Sequence, residues 1–599
     1  MARDKAASVP ARRIGKAPRK LDQMDLFRAE QAIEAPKRKT SGKPRPPNPS
    51  AGGNGREGSV AVAEPGDSGV ETKVTARGKK AARRRETAET MARRQKEISV
   101  AEFFQKNRHL LGFDNPAKAL LTATKEAVDN SLDACEEAGI LPTLEIAVEE
   151  LSEERFRLVV TDNGPGIVGA QIPKIFGKLL YGSKFHVLRQ SRGQQGIGIS
   201  AAGMYSQLTT GQPLRITSRT GAKKPAHFFE IQIDTARNEP KVLTDREVEW
   251  DRDHGTRVEM ELAGTYKKGR RSVDDYVVQT ALANPHADVA YHPPKGDDFR
   301  RERISRELPP EPLAIKPHPR GVELGALIAM MSETKGRTLK SALQSDFSRV
   351  SEKVAEEICR AAGLNPEARP RSLKLPNMEA LFNAIPKVKI MNPPTNCIVP
   401  IGEALILEGL RQTVKADFYT ANSRPPSVYR GNPFLVETGL AYGGDQPAEE
   451  LVDLWRFANR VPLQYQQSAC AITKAAVSTD WRNYALQQGK GALPSGPMVL
   501  FVHVASVWVP FTSESKEAVA AYPEILKELR LGLQECGRKL GSFLRRRRRE
   551  EDAEKKKSYI QAYIPHIGIA LKEILSLSDK DEARIVSVLT DTLEKTRKI

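Results

Sequence analysis

Apolar residues recur every three or four positions between residues 116 and 138, and polar residues fill the positions between them. This period predicts an amphipathic helix. Asn115 suits the N-cap, Pro116 the first turn and Gly139 the end of that helix. The residues expected to face a core are Leu121, Val128, Leu132 and Cys135.

Runs rich in β-branched and aromatic residues follow this helix and predict strands. They cover 143–149, 155–161, 214–219 and 227–234, and would form one mixed sheet. The run from Met498 to Val509 is continuously apolar but carries His503 and is too short for a membrane span. It therefore predicts a buried strand.

Helical periods return later in the chain. Residues 317–393 carry amphipathic patterns at Leu324, Leu327, Ile328, Met331, Leu339, Leu343, Phe347, Val354, Ile358 and Cys359. A long helix is predicted from near Glu517 through Arg549, and the charge run that follows reads as its exposed extension. A final helical element is predicted from Ile564, Ile567, Ile569, Leu571 and Ile574.

The chain carries a surplus of positive charge. It has 94 Lys and Arg residues and 75 Asp and Glu residues among 599, a net charge of +19. Such a surplus indicates a polyanionic partner, with nucleic acid favoured over a membrane surface. The alternative is a basic tail that binds nothing specific. Residues 1–96 contain too few apolar side chains to bury a core and are expected to be a disordered basic tail.

The five cysteines are widely spaced, with no CxxC pair or Cys/His cluster. This spacing supports neither a disulfide framework nor a zinc site and fits a reducing cytosol. The N-terminus has no apolar signal core, so we expect a cytoplasmic protein without a membrane segment.

Candidate chemistry begins on the polar face of the 116–138 helix, where Glu126, Asn130 and Asp133 are spaced i, i+4 and i+7. An acid, an amide and a second acid on one face can hold a metal ion and activate a water. A solvated helix face is the alternative for this helix taken alone.

Two glycine loops change that balance. The first follows a predicted strand and contains Asp162, Gly164 and Gly166; the second runs from Ser191 to Ser200 and precedes a predicted helix start. Glycines before a helix let backbone N–H groups close around phosphate oxygens. The chain has no GxxxxGK[ST] sequence, so this is not a Walker-type loop.

The order ExxxN, DxGxG, GxxGxG resembles the Bergerat ATP-binding fold of the GHKL superfamily. The longer words YGSKFH at 181–186 and QSRGQQGIGIS at 190–200 resemble the B subunits of DNA topoisomerase VI. The resemblance extends from about residue 97 to the mid-540s. It implies an α+β multidomain protein.

The domains implied by this resemblance follow the composition. They are a tail at 1–96, a GHKL ATPase domain at 97–316, a helix-two-turn-helix domain at 317–393, an S5-like α/β transducer domain with a long C-terminal helix at 394–549, and a helical extension at 550–599.

The resemblance also implies roles for single residues. Glu126 would polarise the attacking water, Asn130 would hold Mg²⁺, and Asp162 would accept a hydrogen bond from the adenine amino group. Gly164 and Gly166 would permit close approach to the base, and Lys516 would stabilise the γ-phosphate. The remaining residues expected at the ATP site are Ser183, Lys184, Gly193, Gln194, Gln195, Gly196, Ile197 and Gly198.

DNA contacts are implied at two places. A basic loop contains Lys268, Arg270 and Arg271, and a later word contains Trp481 and Arg482, where the family usually has Lys. A solvated loop, and a core Trp beside a surface Arg, are the respective alternatives. The helix-two-turn-helix domain would bind DNA or be a structural insert.

As a whole the resemblance implies the ATPase subunit of a type IIB topoisomerase that relaxes or decatenates duplex DNA. ATP would dimerise two B subunits around a DNA segment within an A2B2 heterotetramer, and the strand-cutting tyrosine would lie on the A subunit. The protein would be cytoplasmic and nucleoid-associated. Two alternatives are a GHKL clamp or chaperone acting on protein, and a DNA-binding scaffold that does not hydrolyse ATP.

Overall fold

The computed structural model describes residues 88–184, 187–193 and 195–595. Of the tail expected at 1–96, residues 1–87 lie outside the described residues. Helix α1 covers Ala88–Ala92. None of the described helices is long and apolar enough to span a membrane.

Eight strands form the first sheet. They are β1 Thr143–Ser152, β2 Arg155–Asp162, β3 Leu214–Arg219, β4 Ala226–Asp234, β5 Glu239–Val248, β6 Gly255–Ala263, β7 Asp288–His292 and β8 Phe299–Arg301. The order across the sheet is β5-β4-β3-β6-β2-β1-β7-β8. The pairing of β1 with β7 is parallel and the other pairings are antiparallel. The four predicted strands are confirmed as β1 to β4, whereas β5 to β8 were not predicted.

Helices cover one face of this sheet. They are α2 Val100–Lys106, α3 Pro116–Glu137, α4 Ile172–Gly177, α5 Gly198–Thr210 and α6 Val273–Ala283. The predicted helix is α3, and its N-cap is confirmed because the Asn115 side chain accepts from the Ala117 N–H at 2.9 Å. Its apolar face packs with Leu158 and Ile216 of the sheet in one core.

The other face of the first sheet carries a charge ladder. Arg157 of β2 reaches Glu149 of β1 at 3.0 Å and Glu261 of β6 at 3.3 Å. Arg215 of β3 reaches Glu259 of β6 at 3.0 Å and Glu230 of β4 at 3.2 Å. The sign of the charge therefore alternates across β1, β2, β6, β3 and β4, and cross-strand pairs of opposite charge support the register.

Four helices with a core of their own follow the first sheet: α7 Leu324–Glu333, α8 Leu339–Asp346, α9 Glu352–Ala362 and α10 Leu375–Ala384. The first three match the predicted helical patterns. The fourth was not predicted, although its Met378 and Leu381 are buried in the same cluster.

The second sheet has six strands: β9 Phe418–Ser423, β10 Ser427–Tyr429, β11 Asn432–Tyr442, β12 Asp453–Ala458, β13 Val461–Pro462 and β16 Met498–Ser506. Helices α11 Glu403–Thr413 and α12 Ala471–Ser478 accompany it, and β14 Gln487–Gln488 pairs with β15 Pro494–Ser495 apart from it. Every residue of β16 is buried, which confirms the buried strand predicted near Met498.

Both faces of the second sheet are covered. A side chain at Gly439 of β11 would meet Ile406 and Leu410 of α11, whereas Thr438, the preceding residue, contacts the helix that begins at Pro523. Successive residues of a strand point to opposite faces, so the two helices lie on opposite sides.

That helix, α13, runs from Pro523 to Leu575, and α14 covers Asp579–Lys595. The predicted start near Glu517 is wrong by about one and a half turns, because Pro523 with its fixed φ occupies the first position. The charge run predicted as an exposed extension does belong to this helix, but the separate final element expected from the apolar residues 564–574 is wrong, because the same helix includes them. Gly568 of α13 lies against Val586 of α14.

Candidate nucleotide-binding site

A cavity of about 590 Å³ opens between α3, the two glycine loops and a loop of the second sheet's domain. This volume lies within the usual range for small-molecule sites. Most residues expected from the sequence to bind ATP line it: Glu126, Asn130, Asp162, Gly166, Ser183, Lys184, Gly193, Gln195, Gly196, Ile197, Gly198 and Lys516. Gly164 does not line it, and Gln194 lies outside the described residues.

One end of the cavity is organised by the Asp162 carboxylate. It accepts from the Ser131 hydroxyl at 2.9 Å and from the N–H groups of Gly164 at 2.8 Å and Thr256 at 3.1 Å. Burial raises the pKa of Asp162, while these donors oppose the rise. The side chain is therefore fixed in one orientation at the cavity wall, as a specific hydrogen bond to a ligand requires.

The glycine at 166 is required by the protein itself. Its φ is +71°, and a Cβ there would lie 2.0 Å from the carbonyl oxygen of Arg219 in β3. The fold therefore requires glycine at this position independently of the expected close approach to a base. Gly164 likewise turns the chain so that its N–H reaches Asp162.

Helix α5 begins against Glu126, which also lines the cavity. A Cβ at Gly198, the first residue of α5, would lie 1.7 Å from Glu126 Oε2. A larger residue at 198 would displace this carboxylate, and the close approach places the positive end of a helix beside it. The same helix start offers free backbone N–H groups, the usual means of binding phosphate.

Asn130 is exposed at the cavity, and its Oδ1 is 3.7 Å from the point where a Cβ on Gly193 would lie. Within the described residues no group of three or more His, Cys, Asp or Glu side chains is placed to hold a metal. One amide oxygen facing a cavity fits Mg²⁺, which keeps waters and takes substrate phosphates as ligands.

Asp133, the third residue of the predicted polar face, is not free to bind a metal. Arg192 reaches it at 2.8 Å and Lys184 reaches it at 2.7 Å. Arg192 is buried and also pairs with Glu136 at 2.7 Å, which in turn contacts His286 at 2.7 Å. Burial opposes ionisation of Glu136, but Arg192 and His286 hold its pKa well below the usual value. This network fixes the second glycine loop to α3.

A second polar cavity, of about 450 Å³, meets the first at Glu126, Gln195, Glu514 and Lys516. Asp129, one turn after Glu126, also lines it, and burial raises the pKa of Asp129 to about 7. The Tyr276 hydroxyl of α6 donates to Asp129 at 3.2 Å. Neither residue could be identified from the sequence, since an Asp between motif residues carries no signal of its partner.

The loop at 513–517 brings Lys516 to this junction. Its ammonium donates to the Arg192 carbonyl at 3.2 Å, Glu517 pairs with Lys118 of α3 at 2.7 Å, and Glu514 accepts from Gln195. Burial lowers the pKa of Lys516, and the carboxylates of Glu126 and Asp129 oppose the change. The structure thus places Lys516 beside Glu126 although they are far apart in the chain.

Of the residues expected to contact DNA, those of the basic loop are exposed. We define the basic loop as residues 267–271. Arg270 is 3.8 Å from Glu450 and 3.7 Å from Asp453, and Arg271 contacts Gln467 at 3.3 Å. These weak, exposed contacts leave the loop accessible.

The expectation that Trp481 contacts DNA is wrong for its side chain in this structure. Trp481 is 0% exposed and its indole N–H donates to the Ala476 carbonyl at 2.8 Å, because the ring fills the core beneath α13. Arg482 is exposed and pairs with Asp480 at 2.9 Å. The alternative of a core Trp beside a surface Arg is what the structure shows.

Two known families match the two parts of the chain that meet at this cavity. Residues 115–262 match the family described as histidine kinase-, DNA gyrase B- and HSP90-like ATPase. Residues 393–556 match the transducer of the topoisomerase VI B subunit. We therefore call the domain around the first sheet the ATPase domain and the domain around the second sheet the transducer.

Relatives match across both domains. The B subunit of type 2 DNA topoisomerase 6 from Methanosarcina acetivorans is 47% identical over 86% of this chain and 83% of its own length. The proteins of the same name from Methanococcoides burtonii and Archaeoglobus fulgidus are 48% and 47% identical, over 84% and 85% of this chain and 82% and 84% of their own lengths. A GHKL clamp or chaperone acting on protein is not favoured by these matches. With an ATPase domain, a transducer and this degree of identity, the chain belongs to the family of type 2 DNA topoisomerase 6 B subunits.

Proposed function

We propose that ATP binds in the 590 Å³ cavity and that its hydrolysis drives a dimerisation gate for duplex DNA. The observation that carries the proposal is the meeting of Glu126, from the ATPase domain, and Lys516, from the transducer, at one cavity. The γ-phosphate of ATP would bring the nucleotide into contact with both domains. ADP, which lacks this phosphate, would lose the contact with Lys516.

The chemistry follows from the residues in place. Asp162 accepts a hydrogen bond from the adenine amino group at one end of the cavity. At the other end, the free N–H groups at the start of α5 and in the glycine loop hold the phosphates. Asn130 would hold Mg²⁺, which when bound supplies charge neutralisation for the phosphate oxygens.

Hydrolysis requires a water activated at the γ-phosphate. Glu126 takes a proton from this water while the water oxygen forms a bond to phosphorus. The bond from phosphorus to the bridging oxygen of ADP breaks at the same time. The Lys516 ammonium stabilises the negative charge on the transferred phosphoryl group. ADP and inorganic phosphate are released.

The 513–517 loop would report the state of the site to the transducer. Its contacts with Arg192, Gln195 and Lys118 tie it to the ATPase domain on three sides. Loss of the γ-phosphate removes a ligand of Lys516 and so favours a different position of this loop. The long helix α13 would carry that change to an A subunit, which would hold the cleavage tyrosine in an A2B2 assembly.

DNA would contact the basic loop and Arg482, which are exposed. Exposed Lys and Arg side chains bind phosphates without reading sequence. We also propose that the helices α7–α10 are the helix-two-turn-helix domain, within the boundaries expected from the sequence, and that the protein acts in the cytoplasm on the nucleoid.

The gate is tested by mass. A non-hydrolysable ATP analogue should convert the full-length chain from monomer to dimer at micromolar concentration, as measured by light scattering. The variant Glu126→Ala should dimerise with ATP itself, because it binds but does not hydrolyse. Asp162→Ala is the matched control and should remain monomeric with either nucleotide. Unchanged mass of the unmodified chain with the analogue, despite measured binding, would contradict the gate.

A further inference from the structure

The basic loop is held rigidly at both of its ends. Before it, the Tyr266 hydroxyl contacts both oxygens of Asp274 at 2.8 and 2.9 Å. At its last residue, the Arg271 N–H donates to Asp275 at 3.0 Å, and Ser272, which follows the loop, caps α6 by accepting from the Asp275 N–H at 3.1 Å. Asp274 and Asp275 are in the first turn of α6, so a force on the loop acts directly on that helix.

The next residue of α6 connects this turn to the ATP site. Tyr276 is fully buried, and its hydroxyl donates to Asp129 Oδ1 at 3.2 Å. Asp129 is three residues after Glu126 on α3, so the two side chains occupy adjacent turns of one helix face. Residues 266–276 therefore form a continuous structural link from the basic loop to the turn that carries Glu126.

The length of this hydrogen bond matters. Hydroxyl-to-carboxylate bonds are usually shorter than 3.2 Å, so a small shift of α6 toward α3 can strengthen it. Gly198, the first residue of α5, lies directly against the Glu126 carboxylate. A shift of the Asp129 turn would therefore change the position of Glu126 relative to α5.

We propose that the Tyr276–Asp129 hydrogen bond transmits DNA binding at the basic loop to Glu126, which makes Tyr276 a positioning residue for DNA-stimulated ATP hydrolysis. This rests on the proposed contact of the basic loop with DNA. The bond is buried, is made by one hydroxyl group, and is separate from the contacts of Arg270 and Arg271 with the transducer.

The test uses the full-length chain and supercoiled plasmid DNA. ATPase rates are measured with and without DNA, and DNA affinity is measured by fluorescence anisotropy. Tyr276→Phe removes only the hydroxyl and should bring the ratio of stimulated to basal rate toward unity with DNA affinity unchanged. The matched control is Tyr205→Phe, which removes another core hydroxyl, one that donates to the Ala263 carbonyl at 3.1 Å; it should keep the ratio.

Two variants of the acceptor complete the test. Asp129→Asn keeps a hydrogen-bond partner for Tyr276 and should keep the ratio, whereas Asp129→Ala should lose it as Tyr276→Phe does. If Tyr276→Phe lowers basal and stimulated rates by one common factor, the hydroxyl is only structural and the inference is overturned. If DNA neither binds nor stimulates the unmodified chain, the proposed DNA function fails instead, and the two failures are distinguishable.

Discussion

The two sheets of this protein are covered in different ways. Helices pack on one face of the ATPase sheet, while its other face carries the charge ladder built around Arg157 and Arg215. The transducer sheet has helices on both faces, and every residue of β16 is buried. One sheet thus supports a layer of helices with a ligand-sized space beside it, and the other is the filled centre of its domain.

This difference indicates a division of work. The ATPase domain keeps about 590 Å³ open where α3 meets the glycine loops, and the walls of that space combine apolar side chains with polar residues such as Asp162 and Lys184, which are held by fixed partners. The transducer is close-packed, and such interiors move as bodies and do not deform smoothly. Substitutions in the first domain should therefore affect chemistry, and substitutions in the second should affect stability.

The largest effect is expected at Glu126. Glu126→Ala should lower ATP turnover by about 10²–10⁴-fold, since it removes the general base, and should keep ATP affinity. Turnover is measured by phosphate release and affinity by calorimetry. Glu149→Ala, on the open face of the ATPase sheet, is the control and should turn over normally. Near-normal turnover in Glu126→Ala would remove this residue from the reaction.

The filled sheet should respond through stability. Phe501 is 0% exposed and its ring centroid lies 4.5 Å from that of Phe457. Phe501→Ala should cost about 3–5 kcal/mol of unfolding free energy in denaturant and leave ATP affinity intact. The matched substitution Val242→Ala, on a strand that is exposed in the ATPase sheet, should cost less than about 0.5 kcal/mol. Equal costs at the two sites would break the comparison.

Lys516 belongs to the transducer but acts in the cavity of the other domain. Lys516→Ala should slow turnover by about 10²-fold, as expected for loss of one charge-stabilising group, with adenine affinity preserved through Asp162. Exposed Lys474 of α12 provides the control, and Lys474→Ala should have no effect. If Lys516→Ala lowers the stability of the protein but not its ATP turnover, the loop has a structural role, like the residues of the filled sheet.

The smallest effect is expected at the basic loop. Replacing Lys268, Arg270 and Arg271 with Ala in the full-length chain should weaken DNA binding evenly across sequences. Each lost phosphate contact should reduce the log–log salt slope by about 0.9 on duplex DNA. The N-terminal tail is present in both proteins, so the difference in slope reports the loop alone. An identical slope before and after substitution would show that the loop is only a solvated turn.

Local patterns predicted much of the fold. Helix α3 and its Asn115 cap follow from a helical period and from capping chemistry, and β16 follows from a continuous apolar run. The start of α13 was misjudged because the residues before Pro523, Glu-Ala-Val-Ala-Ala-Tyr at 517–522, include good helix formers. Trp481 was misjudged because one aromatic beside a cation fits both a binding surface and a core edge.

The site could be predicted only in part. The glycine loops and the resemblance indicated which residues to expect, including Lys516. No pattern of apolar and polar residues in the sequence, however, places Lys516 beside Glu126. The network of Arg192, Asp133 and Glu136 depends on tertiary contacts between α3 and a loop, so the sequence gives no local sign of it. The same holds for the pairing of Asp129 with Tyr276.

Helix α13 extends well beyond the core of the transducer. Its last residues packed on the transducer core are Phe543 and Leu544, and it continues to Leu575. Arg547, about one turn later, still pairs with Asp417 of the transducer at 2.7 Å, and Pro565 lies inside the helix. From Arg547 to Pro565 the rise of an α-helix gives about 27 Å. Each degree of tilt at the transducer would therefore displace that point by about 0.5 Å, so a rotation of a few degrees would become a movement of more than about 1 Å.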